Sequence, residues 1–236
     1  MSRFGLFLLI SSLSIGYFAP DTEVFIVPHS HTDTGWLEDP DVSLTQQYYK
    51  EVVHYILNTV VSVLKKGETR KFVWAETYYL KRWYQSASAS DRSAVQELIR
   101  TGQLELVGGG LVQHDEALPS IDLIIRQLEK GLDFLSAEFG LRQISVAWQI
   151  DPFGHSGLSP ALFRQFGFQH FVGNRIDHSF KEDLKSTRNL EFIWKGSGLG
   201  YQTEILTHIL PESYGFPSSL NPFLQSSCWR DSKSPW

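Results

Sequence analysis

The feature that most constrains this chain is a regular alternation of short apolar runs with longer amphipathic stretches. Seven segments read as strands, at 23–29, 71–77, 104–110, 144–150, 170–176, 190–196 and 204–210. Several, such as "KFVWAET" and "ISVAWQI", are almost continuously apolar. A strand covered by helices on both faces reads this way, because neither side meets water. Helical spacing fills the intervals. Tyr48, Val52, Val53, Ile56, Val60 and Val63 share one face behind the capping-box pattern "SLTQ" that opens at Ser43, and Gly67 ends that helix. A second helix is expected after residue 77, running to about Thr101 and stopped by Gly102. Ile121, Ile124, Ile125, Leu128, Leu132, Leu135 and Phe139 form the apolar stripe of a third, between Ser120 as cap and Gly140 as terminator. A short helix covers about 158–166. Strand–helix alternation requires crossover connections and a parallel sheet. The expected fold class is α/β, a parallel (β/α)-barrel-like domain of about seven strands, incomplete at the C-terminus. In such folds ligands bind at the carboxyl ends of the strands.

Composition sets the remaining bounds. The 236 residues, 42% of them hydrophobic, suffice for one large core. The net charge of −5 and the lack of any basic run argue against nucleic acid as a partner. A single cysteine, Cys228, excludes an intrachain disulfide. Residues 1–19 carry Arg3, an apolar run, and then the small residues Ser14 and Gly16, the pattern of a signal peptide. The expected organisation is therefore a signal peptide over 1–19, an α/β domain over 20–217 and an irregular tail over 218–236. Signal cleavage would leave no membrane span, and the destination would be the secretory pathway, lysosomal or secreted.

The chemistry-bearing residues gather where the strands end. "VFIVPHSHTDTGW" places His29, His31 and Asp33 at every second position after the first apolar run. If the strand continues, residues two apart share a face, and imidazole with carboxylate is a good ligand set for Zn²⁺ and its neighbours. Polar residues in a surface loop would read the same way. "WQIDPFGHS" adds Asp151 at the end of the fourth strand. Asp before Pro is a common turn starter, but on one rim two strand ends could supply three ligands and leave an open position. "GGGLVQHDEA" brings His114, Asp115 and Glu116 to the same rim. The two acids, Asp115 and Glu116, serve either as supports for the first cluster or as helix-capping acids before Pro119.

Taken in order, "PHSHTDTGW", "GGGLVQHDEA", "WQIDPFGHS", "NRIDH" and "ILTHILPESYGFP" resemble the N-terminal catalytic domain of the α-mannosidases of glycoside hydrolase family 38, from about Glu23 to Pro217. "LEFIWKGS" and the "THIL" segment resemble the epididymis-specific or core-specific lysosomal subgroup. The resemblance implies a zinc-dependent retaining α-mannosidase that hydrolyses terminal α-mannosyl residues of oligosaccharides or glycoprotein glycans, with Co²⁺ as a substitute metal. By matching position, His31, Asp33 and Asp151 are metal ligands, and Asp151 is also the nucleophile. Trp36, Phe153, Arg175 and Tyr214 are substrate-binding. His29 is not a ligand in the family and becomes a supporting residue, beside Asp115 and Glu116.

Two departures accompany the resemblance. Gly215 stands where the family has an aspartate after "SY", which implies a changed linkage or branch preference. The family's fourth ligand, a later histidine, and its later acid/base aspartate have no counterpart, so the expectation is a truncated chain with little activity alone. The competing enzyme class is a metal-dependent amidohydrolase or deacetylase, which would need a metal-bridging lysine or more histidines at later strand ends. The competing non-enzyme is a mannose-binding remnant that keeps Trp36 and Phe153 as stacking platforms.

Overall fold

A computed structural model describes residues 26–36, 46–196 and 203–215. The expected signal peptide, the Ser43 cap and the tail beyond residue 217 lie outside the described residues. Helix α1 (Gln46–Leu64) buries Val53, Leu57, Val61 and Leu64. Its buried stripe is one position on from the expected one, which leaves Val63 exposed. β1 (Phe72–Trp74) follows, and the single helix expected up to Thr101 is two, α2 (Thr77–Ser86) and α3 (Ala89–Arg100). The break has a local cause: Ser88 takes an extended conformation and its side chain accepts the Asp91 N–H, starting a new helix. β2 (Leu104–Leu106) leads through a glycine turn to α4 (Ile121–Phe139). Gly140 ends α4 with φ 67, and the Leu141 N–H returns to the Leu135 carbonyl as a left-handed cap requires.

β3 (Val146–Gln149), α5 (Ser159–Gln165) and β4 (His170–Gly173) follow in the expected places. A helix that the periodicity did not announce, α6 (His178–Thr187), is opened by Asp177, whose side chain accepts the Phe180 N–H. β5 (Glu191–Lys195) and β6 (Glu204–Ile209) complete the described elements.

β1 and β2 pair in parallel, as do β3 with β4 and β4 with β6. The Gly108 N–H donates to the Val146 carbonyl at 2.8 Å, which joins the end of β2 to β3. β5 corrects the all-parallel expectation: it lies antiparallel on β6, and its residues alternate between exposed and half-buried as an edge strand can. The first of the seven expected strands is also corrected. It is an extended segment with one bridge, His29 to Val73, so six strands are present among the described residues, in sheets of two and four. No pairing closes the array into a barrel among the described residues.

Two apolar layers hold the array. The larger fills the space between sheet and helices, with Trp74, Trp83, Phe163, Phe168, Phe171 and Leu135 buried in it. The smaller takes side chains from every parallel strand or its extension, among them Val27, Val73, Val107, Val146, Trp148, Ile150, Val172 and Leu210. Strands whose inward side chains all meet in one cluster must curve around it, and their carboxyl ends converge on one rim.

Candidate metal centre and nucleophile

That convergence positions the site. His31 leaves the first segment, Asp151 the end of β3, Arg175 the end of β4 and Tyr214 the stretch after β6. The Asp33 backbone is held by one local and one long-range contact. Gly35, at φ 80, gives its N–H to the Asp33 carbonyl, and that carbonyl also accepts the Tyr79 hydroxyl of α2 at 3.0 Å. The left-handed φ at position 35 favours glycine.

His31, Asp33 and Asp151 offer one ligand atom each, all within 4.8 Å of one another. His31 Nε2 lies 3.1 Å from Asp33 Oδ1 and 3.5 Å from Asp151 Oδ2. Ligand atoms at Zn–N and Zn–O bond lengths of about 2.0–2.2 Å stand about 3.4 Å apart around a tetrahedral ion. These separations fit one divalent cation with a position left open, and the donor set of one imidazole and two carboxylates suits a metal of the zinc type.

Asp151 presents its two oxygens to different neighbours. Oδ1 accepts from Arg175 Nε at 3.0 Å, Arg175 Nη2 at 2.7 Å and the Tyr214 hydroxyl at 2.7 Å. Oδ2 faces His31. Desolvation works against ionisation, but the Tyr214 and Arg175 hydrogen bonds and the nearby positive charge outweigh it and hold the carboxyl below the usual aspartate range. Conversely, burial and the bond to Asp151 push the Tyr214 phenol up. The arrangement keeps a carboxylate anionic at the rim, which a nucleophile requires.

The other expected residues separate by environment. Phe153 and Trp36 are each 75% exposed, and the Arg175 guanidinium sits 4.3 Å above the Phe153 ring. His29 does not join the ligands. Its ring meets Trp148 edge-on, with centroids 5.5 Å apart, and burial lowers its pKa. Asp115 turns its Oδ2 to the N–H groups of Ala117 and Leu118, closing a turn in the loop ahead of α4, whose N-cap is Ser120. Glu116 is a staple. Its carboxylate accepts from His155 Nδ1 at 2.9 Å, the Ser156 N–H at 2.7 Å and the Ser159 hydroxyl, all on the segment that follows Asp151.

Sequence reading missed Glu76 and Gln113. Glu76 lies two residues past β1, at the N-cap of α2, and is 2% exposed. Burial pushes its carboxyl up to about 7, against the opposing pull of His31 and Gln113. Gln113 Nε2 donates to Glu76 Oε1 at 2.8 Å, and Gln113 Oε1 accepts the Ile150 N–H at 3.1 Å. Glu76 follows a strand closely, the signal that exposed Asp151, whereas Gln113 sits in the loop seven residues past β2; each reads locally as an ordinary turn or cap residue. A cleft of about 640 Å³ opens beside them, lined by His31, Asp33, Glu76, Gln113, Asp115 and Leu118 among others.

The family model described as the glycosyl hydrolases family 38 N-terminal domain matches residues 21–233. The chain belongs to glycosyl hydrolase family 38. Alpha-mannosidase C of Dictyostelium discoideum is 40% identical over 212 residues, covering 84% of this chain and 19% of that protein. Alpha-mannosidase 2 of Homo sapiens is 38% identical over 218 residues, covering 90% of this chain and 18% of that protein. The chain thus spans about a fifth of the length of these relatives. The fold is shared with an alpha-mannosidase from Enterococcus faecalis V583, at TM-score 0.61 and 20% identity over 80% of this chain and 20% of that one. It is also shared with the 4-alpha-glucanotransferase from Thermococcus litoralis, at TM-score 0.58 and 17% identity over 87% and 30%.

Proposed function

We propose that this family 38 chain supplies the metal-binding and nucleophile half of a retaining α-mannosidase active site, acting on terminal α-mannosyl residues of oligosaccharides or glycoprotein glycans. The observation that carries it is Asp151, which faces the His31–Asp33 pair with one oxygen and takes three donors on the other. His31, Asp33 and Asp151 would hold Zn²⁺, or Co²⁺ in its place, and the bound ion would supply Lewis-acid binding of sugar hydroxyls. Asp151 carries the first chemical step. Its carboxylate forms a bond to the anomeric carbon as the bond to the departing oxygen breaks, and a second carboxyl group protonates that oxygen. Water then releases the sugar by the reverse proton path. Arg175 and Tyr214 keep Asp151 ionised and fix the plane of its carboxylate. Phe153 and Trp36 offer aromatic faces to the sugar. The domain limits 20–217, the secretory destination and the epididymis-specific or core-specific lysosomal subgroup belong to the same proposal. Gly215 is the residue from which an altered linkage preference follows.

The test is metal stoichiometry on the full chain. We expect close to one Zn²⁺ retained after dialysis, lost in His31→Ala and in Asp33→Asn. Hydrolysis of an aryl α-mannoside, wherever it is detectable, should fall at least 10²-fold in Asp151→Asn. Equal zinc content in wild type and His31→Ala would overturn the site.

A further inference from the structure

The structure assigns a positioning role to Glu76 and Gln113: together they set the orientation of the His31 imidazole, and Glu76 receives its Nδ1–H when Nε2 is given to a cation. The inference rests on the metal-binding reading of the His31–Asp33–Asp151 cluster.

The orientation of the Gln113 amide is fixed by its partners. Its oxygen accepts the Ile150 N–H, and its nitrogen donates to Glu76 Oε1 at 2.8 Å. The reversed amide would set an NH₂ group against a backbone N–H and an oxygen against a carboxylate. The same nitrogen therefore also presents an N–H to His31 Nδ1, 3.0 Å away. Across the ring, Nε2 lies 3.1 Å from Asp33 Oδ1. Without a cation these neighbours fit the tautomer protonated at Nε2, which donates to Asp33 and accepts from Gln113.

A metal ligand needs a bare Nε2, so the neutral ring must then carry its proton on Nδ1. That proton faces the Gln113 donor and needs an acceptor. Glu76 Oε1 is 3.5 Å from Nδ1, on a side chain 2% exposed. Water can hardly take its place there. The backbone of Glu76 is itself held, since its carbonyl accepts the Trp74 indole N–H at 2.9 Å. Gln113 and Glu76 thus give the ring one partner for each tautomer, and Gln113 ties both to Ile150, the residue before Asp151. Histidine ligands in metal sites commonly donate their second N–H to a carboxylate, and loss of that partner typically lowers metal affinity about 10–100-fold.

The experiment is zinc titration of the full chain, with long-range ¹H–¹⁵N spectra that report the His31 tautomer. Glu76→Gln is expected to weaken Zn²⁺ binding about 10–100-fold while the metal-free unfolding midpoint moves little. Gln113→Met, which removes the donor facing Nδ1, is expected to shift the metal-free ring away from the Nε2–H form. It keeps the proposal open to refutation if Glu76→Gln fails to fold. Wild-type zinc affinity in Glu76→Gln, with an unchanged tautomer in Gln113→Met, overturns the proposal while His31→Ala still abolishes binding. If His31→Ala binds zinc like the wild type, the metal reading itself falls and carries this one with it.

Discussion

Glu116 shows how one buried side chain fixes a segment that does chemistry. It lies on the stretch after β2, yet its three donors lie on the stretch after β3, four to eight residues beyond Asp151. Its pair with His155 is buried, at 3% and 5% side-chain exposure. Desolvation opposes its charge, but the His155 hydrogen bond and charge, the Ser159 hydroxyl and the Ser156 N–H outweigh that and lower its pKa. A carboxyl depressed on folding contributes stability above its unfolded value of about 4.3, and the contribution is lost as pH falls through the folded value. Glu116→Gln should therefore cost about 3 kcal/mol at neutral pH, and the loss should shrink below about pH 4. Urea unfolding at pH 7 and at pH 3 checks both; equal losses at the two values would refute the charge-based account. His29 teaches the complementary lesson. The two-residue period groups it with His31 and Asp33, but that grouping holds only while a strand continues. Here pairing stops after one bridge, and the ring turns to Trp148.

Among elements, α4 is placed by a close backbone approach. Gly131 lies in its middle, where the stripe of large apolar residues would allow any small side chain. A Cβ there would stand 2.2 Å from the Gly109 carbonyl oxygen, so helix and glycine turn touch backbone to backbone. Gly131→Ala should cost roughly 3 kcal/mol by overpacking, although alanine is the better helix former. Gly140→Ala is the contrast. It has open space and φ +67, so conformational strain alone should cost about 1–2 kcal/mol. Chemical denaturation of the two variants tests the order, and a reversal would show that the turn can move aside. The approach at Gly131 was invisible in the sequence, because periodicity reports which face is apolar and nothing about what crosses it. The break at Ser88 and the cap at Asp177 were visible in principle. Both are ordinary N-cap residues, hidden by a polar stretch with weak apolar spacing.

For the whole molecule, the consequence of the rim is linkage between metal and stability. A ligand that binds only the folded state stabilises by about 2.7 kcal/mol at 100 times its dissociation constant. In a chain of this size, where each kcal/mol moves Tm by about 2–4 °C, that corresponds to a rise of about 5–11 °C. Zinc should produce this shift in the wild type and not in Asp33→Asn, as thermal unfolding with and without chelator would record; equal shifts would place the ion elsewhere. Legible in the residues alone were most of the strand–helix alternation, the strand-end location of the chemistry and the group His29, His31, Asp33 and Asp151, from which the family resemblance selects the three candidate ligands. These are local properties, written in hydrophobic period and in the residues that interrupt it. The folded arrangement alone sets which strand ends meet. It placed Glu76 and Gln113 behind His31, set Arg175 and Tyr214 on one oxygen of Asp151, and turned β5 antiparallel onto the edge. Those choices depend on the curvature imposed by side chains from many strands sharing one inner cluster, and no window of sequence contains that cluster.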